Sequence, residues 1–116
     1  MKLINKLIIV LLLFANIAIG QTFLKDEISV VEFNTSWNEN NHYKNLNKLK
    51  NCKAYNISLC NKPEYMAEFD ILQPVIIVFH NGHNVKQYKA NIMMEFEVNN
   101  KALQHNVDSL LLLKFN

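Results

Sequence analysis

A chain of 116 residues, half of them hydrophobic, is long enough for one domain with one core and too short for two. Its 12 basic residues are all lysine and face 10 acidic ones. Without arginine there is no planar fork for bidentate phosphate recognition, and the near-neutral balance leaves no basic footprint, so nucleic-acid binding is excluded.

The first twenty residues have the layout of a secretory leader. Met1 to Lys6 carries Lys2 and Lys6, Leu7 to Ile19 is nearly all apolar, and Ala18-Ile19-Gly20 puts small residues where a signal peptidase reads. The apolar run is shorter than the roughly 20 residues a spanning helix needs. The expectation is cleavage before Gln21 and a periplasmic or extracellular product, with membrane attachment only if the leader is retained. Gln21 is not a cysteine, which excludes lipidation of the new N-terminus. The leader is then 1–20 and the folded domain 21–116. Loss of Lys2 and Lys6 leaves ten lysines against ten acids.

Gln21 to Glu27 is polar and short, an irregular lead-in or a marginal edge strand. Ile28 to Asn34 is β-branched and aromatic and predicts a central strand. A helix is predicted from about Trp37 to Lys50, with Ser36 and Glu39 at capping-box spacing. Its apolar stripe (Tyr43, Leu46, Leu49) is thin and its many Asn are poor helix formers, so packing must hold it. Ala54 to Leu59 alternates as a strand at a sheet edge does. Asn61 and Pro63 open a short helix to about Phe69. Val75 to His80 is a continuous apolar strand, Asn81-Gly82 a strong hairpin turn, and Asn84 to Ala90 the returning strand. Asn91 to Val98 is an apolar link. Asn99 to Lys114 predicts the last helix, with Leu103, Val107, Leu110 and Leu111 on one stripe. The order is βαβαββα.

Exported cysteines invite a Cys52–Cys60 disulfide. If Lys53 to Leu59 is a strand, the two lie about 26 Å apart at ~3.3 Å per residue. A disulfide needs Cα atoms within roughly 4.4–6.8 Å. Either that strand is absent or the thiols are not bonded to each other.

These residues resemble the thioredoxin-like superfamily over nearly the whole folded part. Val31-Glu32-Phe33 followed by Ser36-Trp37 resembles the strand and tryptophan before the thioredoxin dicysteine, with Glu32 where the family has its buried acid. Gln73-Pro74 and the strand to Asn81-Gly82 resemble the proline-led strand and hairpin, in which the proline is cis. The closest resemblance is to small exported bacterial members. It implies an α/β thioredoxin-like fold, a four-stranded mixed sheet flanked by helices, lacking the first strand and helix of full thioredoxin. Ala54 to Leu59 then becomes an edge strand. The two redox cysteines correspond to Asn38 and Asn41, and a carboxamide can neither attack a disulfide nor resolve one.

That topology gathers Trp37, Asn38, Asn41, Cys60, Gln73, Pro74, Met93 and Met94 on one rim, with Cys52 at the opposite rim. Each has a plainer role: Asn38 and Asn41 as first-turn helix residues, Gln73 as a spacer, Met93 and Met94 as core fill, and Cys60 as a small hydrophobe. Glu32, with no cysteine beside it, is expected to be a hydrogen-bonded structural carboxylate. His80 and His83 flank the turn, but two ligands fall short of a zinc site; no metal and no cofactor is expected. Three functions remain open. The first is a redox-inactive module binding a peptide or protein at the rim. The second is a divergent thiol-disulfide oxidoreductase or single-thiol redox protein using Cys60. The third is a structural role in which the 54–59 edge pairs with a second copy.

Overall fold

The computed structural model describes residues 22–113. The apolar segment read as a leader, and Lys114, the expected end of the last helix, lie outside the described residues. A four-stranded mixed sheet is built from β1 (Ile28–Asn34), β2 (Lys53–Ser58), β3 (Val75–His80) and β4 (His83–Lys89), in the order β2-β1-β3-β4. β1 runs parallel to β2 and antiparallel to β3, and β3 and β4 form the hairpin. Two helices flank it, α1 (Glu64–Glu68) and α2 (Asn100–Leu113). This is the expected thioredoxin-like order of strands, with β2 at an edge. Among the described residues no helix is long and apolar enough to cross a membrane.

The central strands are apolar on both sides because both faces are covered. On one face Ile28, Val30, Ile76 and Val78 pack against Leu46 and against Leu103 and Val107 of α2, the stripe read from the sequence. On the other, Val31, Phe33, Ile77 and Phe79 pack against Tyr65 of α1, Ile71 and Phe23. Asn99 caps α2 by accepting the Ala102 N–H at 2.8 Å. At the hairpin tip Asn81 and Gly82 both have positive φ, 52° and 83°, as a type I′ turn requires. A Cβ on Gly82 would also come within 3.1 Å of the Leu24 carbonyl.

One open alternative is settled and three expectations are corrected. The lead-in, read as irregular or a marginal edge strand, is a 3₁₀ turn, Thr22–Lys25. From it Phe23 enters the core, where its ring centroid lies 5.3 Å from that of Phe79 and 5.7 Å from that of Tyr65. The turn is fastened by Ser29 Oγ, which donates to the Phe23 carbonyl at 3.0 Å.

The helix predicted from Trp37 to Lys50 does not form. In its place stand two 3₁₀ turns, Ser36–Asn41 and Leu46–Lys48, separated by extended backbone at His42 (ψ 151°). The helix bonds are replaced by side chains reaching in from elsewhere. Glu32 Oε2 accepts the Tyr43 N–H at 2.7 Å, Asn100 donates to the Asn45 carbonyl, and Gln104 accepts from Lys50 N–H and donates to its carbonyl. With that backbone satisfied, Asn-rich sequence has no reason to become helical. The Ser36–Glu39 capping box is absent too: Thr35 holds the cap position and makes no side-chain cap bond.

The Gln73–Pro74 bond is trans, because the described residues contain no cis peptide bond. Trans is the default for X–Pro by about 0.5–1 kcal/mol. The start of β3 is held in that form by Gln73 Nε2 donating to the Ala90 carbonyl (2.7 Å) and by Ala90 N–H donating to the Pro74 carbonyl (2.9 Å).

Phe23→Ala should cost about 3–5 kcal/mol of stability, as truncation of a buried aromatic does, whereas Lys25→Ala, on an exposed side chain of the same turn, should cost almost nothing. Urea denaturation of the two variants checks this.

Candidate functional site

Parallel β1 and β2 end at the same edge of the sheet, where β3 begins and β4 ends. The last residue of β1, Asn34, starts a knot of carboxamides there. Asn38 Nδ2 donates to Asn34 Oδ1 (3.1 Å) and to the Met94 carbonyl (3.0 Å), while Asn38 Oδ1 accepts from Asn41 Nδ2 (3.0 Å). Asn34 Nδ2 returns a bond to the Asn38 carbonyl (3.2 Å), and Asn34 Oδ1 also accepts the Thr35 N–H (2.8 Å). Asn38 is 4% exposed. It is therefore not a contact residue of the rim, as the sequence suggested, but a tie between β1, the turn after it and the 91–98 link. Asn41, half-buried, is the outer strand of the same knot.

The link is shaped by Asn91. Its carbonyl accepts the Met94 N–H, its side chain accepts the Glu95 N–H, and Met94 adopts φ 62°. The turn so formed holds Met94 half-buried and turns Ile92 (95% exposed) and Met93 outward.

Thr35 forms a ridge with a hollow on each side. On one side is a groove of about 200 Å³ lined by Trp37, Leu59, Met66, Leu72, Pro74 and Met94. Trp37 is 69% exposed and Leu72 87%. Pro74 is buried in its floor, and Gln73, half-buried, lines it with its amide already committed to Ala90. Of the residues singled out from sequence, Trp37, Gln73, Pro74 and Met94 meet in this groove. Asn38 and Asn41 are held in the knot, and Met93 stands on the tip of the link. Leu72, Met66 and Ile92 were missed. Leu72 carried a signal, an apolar residue in the irregular approach to Pro74; the exposure of Met66 and Ile92 is decided only by packing.

On the other side is a polar hollow of about 460 Å³ over the ends of β1 and β2, lined among others by Glu32, Asn34, Ser36, His42, Asn56 and Ser58. It exists because the chain turns away at His42 where a continuous helix would have run over the sheet. Glu32 is 2% exposed. Burial pushes its carboxyl above its ordinary value, against the opposing pulls of the Tyr43 N–H and of His42. Thr35 Oγ1 is the one buried side-chain polar atom among the described residues without a hydrogen-bond partner, a state that costs about 1–3 kcal/mol.

Both thiols are free. Cys60 is exposed beside the hollow, its sulfur 3.3 Å from Ser36 Oγ. Hydrogen bonding from the Ser36 hydroxyl, then from the Ser36 backbone, and more weakly from Ser58, lowers its pKa. Cys52, packed against the α2 side of the sheet, is pushed the other way by burial and by Asp108. No group of three or more His, Cys, Asp or Glu among the described residues is arranged to hold a metal ion.

The same architecture occurs in solved structures. A thioredoxin variant from Halobacterium salinarum NRC-1 superposes with a TM-score of 0.59 at 16% identity, over 78% of this chain and 85% of its own. Fasciola hepatica thioredoxin gives 0.57 at 15% identity, over 82% and 91%. The fold is thioredoxin-like. A designed protein also shares it, with a TM-score of 0.57 at 19% identity over 78% of this chain and 82% of its own. No protein-family model matches the sequence, and no curated protein does. In this thioredoxin-like chain the two cysteines, Cys52 and Cys60, are eight positions apart.

The raised Glu32 pKa has a definite sign in stability. Between the ordinary carboxylate value and the raised one, the folded chain keeps a proton that the unfolded chain has lost. Glu32's contribution is then full below the unfolded value and is lost as pH rises through the folded one. Glu32→Gln should flatten that decline, read as a smaller fall in urea midpoint as pH is raised from acid to neutral.

Proposed function

We propose that this chain is an exported, non-catalytic thioredoxin-fold module that binds a peptide or protein across the carboxyl edge of its sheet. The observation that carries the reading is the apolar groove, flanked by the exposed side chains of Trp37 and Leu72, with Met93 nearby on the link. Large apolar groups clustered at a concave surface are stabilised when a partner removes them from water. The chemistry at the same edge argues against exchange: two carboxamides stand where two thiols would be needed, and the inner one, Asn38, is locked by hydrogen bonds. Export rests on the leader-like residues 1–20.

One observation favours a second reading. Cys60 is exposed, its thiol pKa is lowered, and it touches Ser36 in the turn after β1. A thiolate so placed can attack a partner's disulfide, forming a mixed disulfide and releasing the partner's other sulfur as a thiolate.

Trp37→Ala and Leu72→Asp should each weaken capture of short apolar peptides at least tenfold, about 1.4 kcal/mol, without moving the thermal midpoint much. Fluorescence anisotropy on a peptide panel reads this, and equal binding by both variants would remove the groove from consideration. Insulin reduction by the wild type should stay at background; turnover that disappears in Cys60→Ser would favour the thiol reading instead.

A further inference from the structure

The polar hollow beyond Thr35 lies next to the apolar groove, and Thr35 lines both. We propose that it receives a primary ammonium group, the lysine side chain of the same polypeptide that lays an apolar side chain beside Trp37. The inference rests on the groove reading and adds the chemical class of its partner.

One feature points to a bound group there. The Glu32 carboxylate is buried in the hollow's wall, and the other ionisable groups of the lining are Glu39 and His42. Among the described residues no lysine lines it, so the buried carboxylate, which accepts the Tyr43 N–H, has no permanent cation beside it there, an arrangement that a desolvated charge disfavours.

The donor and acceptor inventory selects the ligand. Glu32 and Glu39, which carry carboxylates, and Ser36, Asn56 and Ser58, which carry neutral oxygens, line the space. An ammonium brings three donors and no acceptor, and so matches a lining rich in oxygen acceptors. An anion would meet two carboxylates, and an apolar group would cover carboxamides without pairing them. These residues come from β1, β2 and the turn between Ser36 and Asn41. That suits a compact charge with rotatable donors better than the planar fork of a guanidinium. A lysine's long stem also lets the charge reach past the Thr35 ridge while the rest of the partner stays on the groove.

Nuclear magnetic resonance titration of the 15N-labelled protein with Nα-acetyl-lysine amide, against the uncharged Nα-acetyl-norleucine amide, tests the site directly. Saturable shifts at the Ser36, Asn56 and Ser58 amides are expected with the lysine compound alone. Glu32→Gln and Glu39→Gln should each weaken binding at least tenfold. Glu39 is exposed, so its variant carries the result even if Glu32→Gln misfolds. Absence of saturable shifts, equal shifts with norleucine, or unchanged binding in Glu39→Gln would overturn the ammonium site. In the peptide panel, exchange of lysine for norleucine separates the two ideas. Trp37-dependent binding indifferent to that exchange overturns this inference and leaves the groove reading in place. Saturable lysine-amide shifts with no peptide binding at Trp37 overturn the groove reading and the shared polypeptide with it.

Discussion

Asn38 ties three pieces of chain together at the carboxyl edge of the sheet. Its carboxamide bonds both Asn34 at the end of β1 and the Met94 carbonyl, which lies 56 residues beyond Asn38, and accepts a bond from Asn41. A buried carboxamide with every bond made is a strong local constraint, because losing one partner strands the others away from water. The tie holds the turn after β1 tight and sets the 91–98 link against it. The groove and the polar hollow are the spaces left on either side of that fastened segment.

A second set of long-range bonds accounts for the missing helix. Residues 42–50 are pinned by Glu32 from β1 and by Asn100 and Gln104 from α2, which bond main-chain groups of Tyr43, Asn45 and Lys50. Helix propensity there is low, so donated side chains decide the conformation. The hollow over Glu32 is a consequence of that choice, and its polarity follows from the residues that β1 and β2 present on that face.

Much of the fold was legible because its elements have strong periods or strong punctuation. The continuous apolar runs of β1 and β3, the Asn81-Gly82 turn and the Leu103–Val107 stripe each allow one local structure. Phe23 was not legible: a single aromatic in a polar heptad has no period, and only the cluster with Phe33, Tyr65, Phe69 and Phe79 gives it a place. At the candidate site, Trp37 and Pro74 were marked by their motif-like settings. Asn38 was misjudged, since whether an Asn faces water or ties a knot depends on a carbonyl far along the chain.

By itself the sequence determined the apolar strands, the edge-like alternation of β2, the hairpin and the spacing of the two cysteines, because periodicity, turn chemistry and residue identity are local properties, while the strand order in the sheet came from the resemblance to a known fold. The tertiary structure alone decided that residues 37–50 are not a helix, that Gln73–Pro74 is trans, that Asn38 is buried, and that Leu72, Met66 and Trp37 share one groove. Each of those outcomes depends on a hydrogen-bond partner or packing surface supplied by a distant segment. Such long-range competition for polar groups and apolar cover leaves no trace in local pattern.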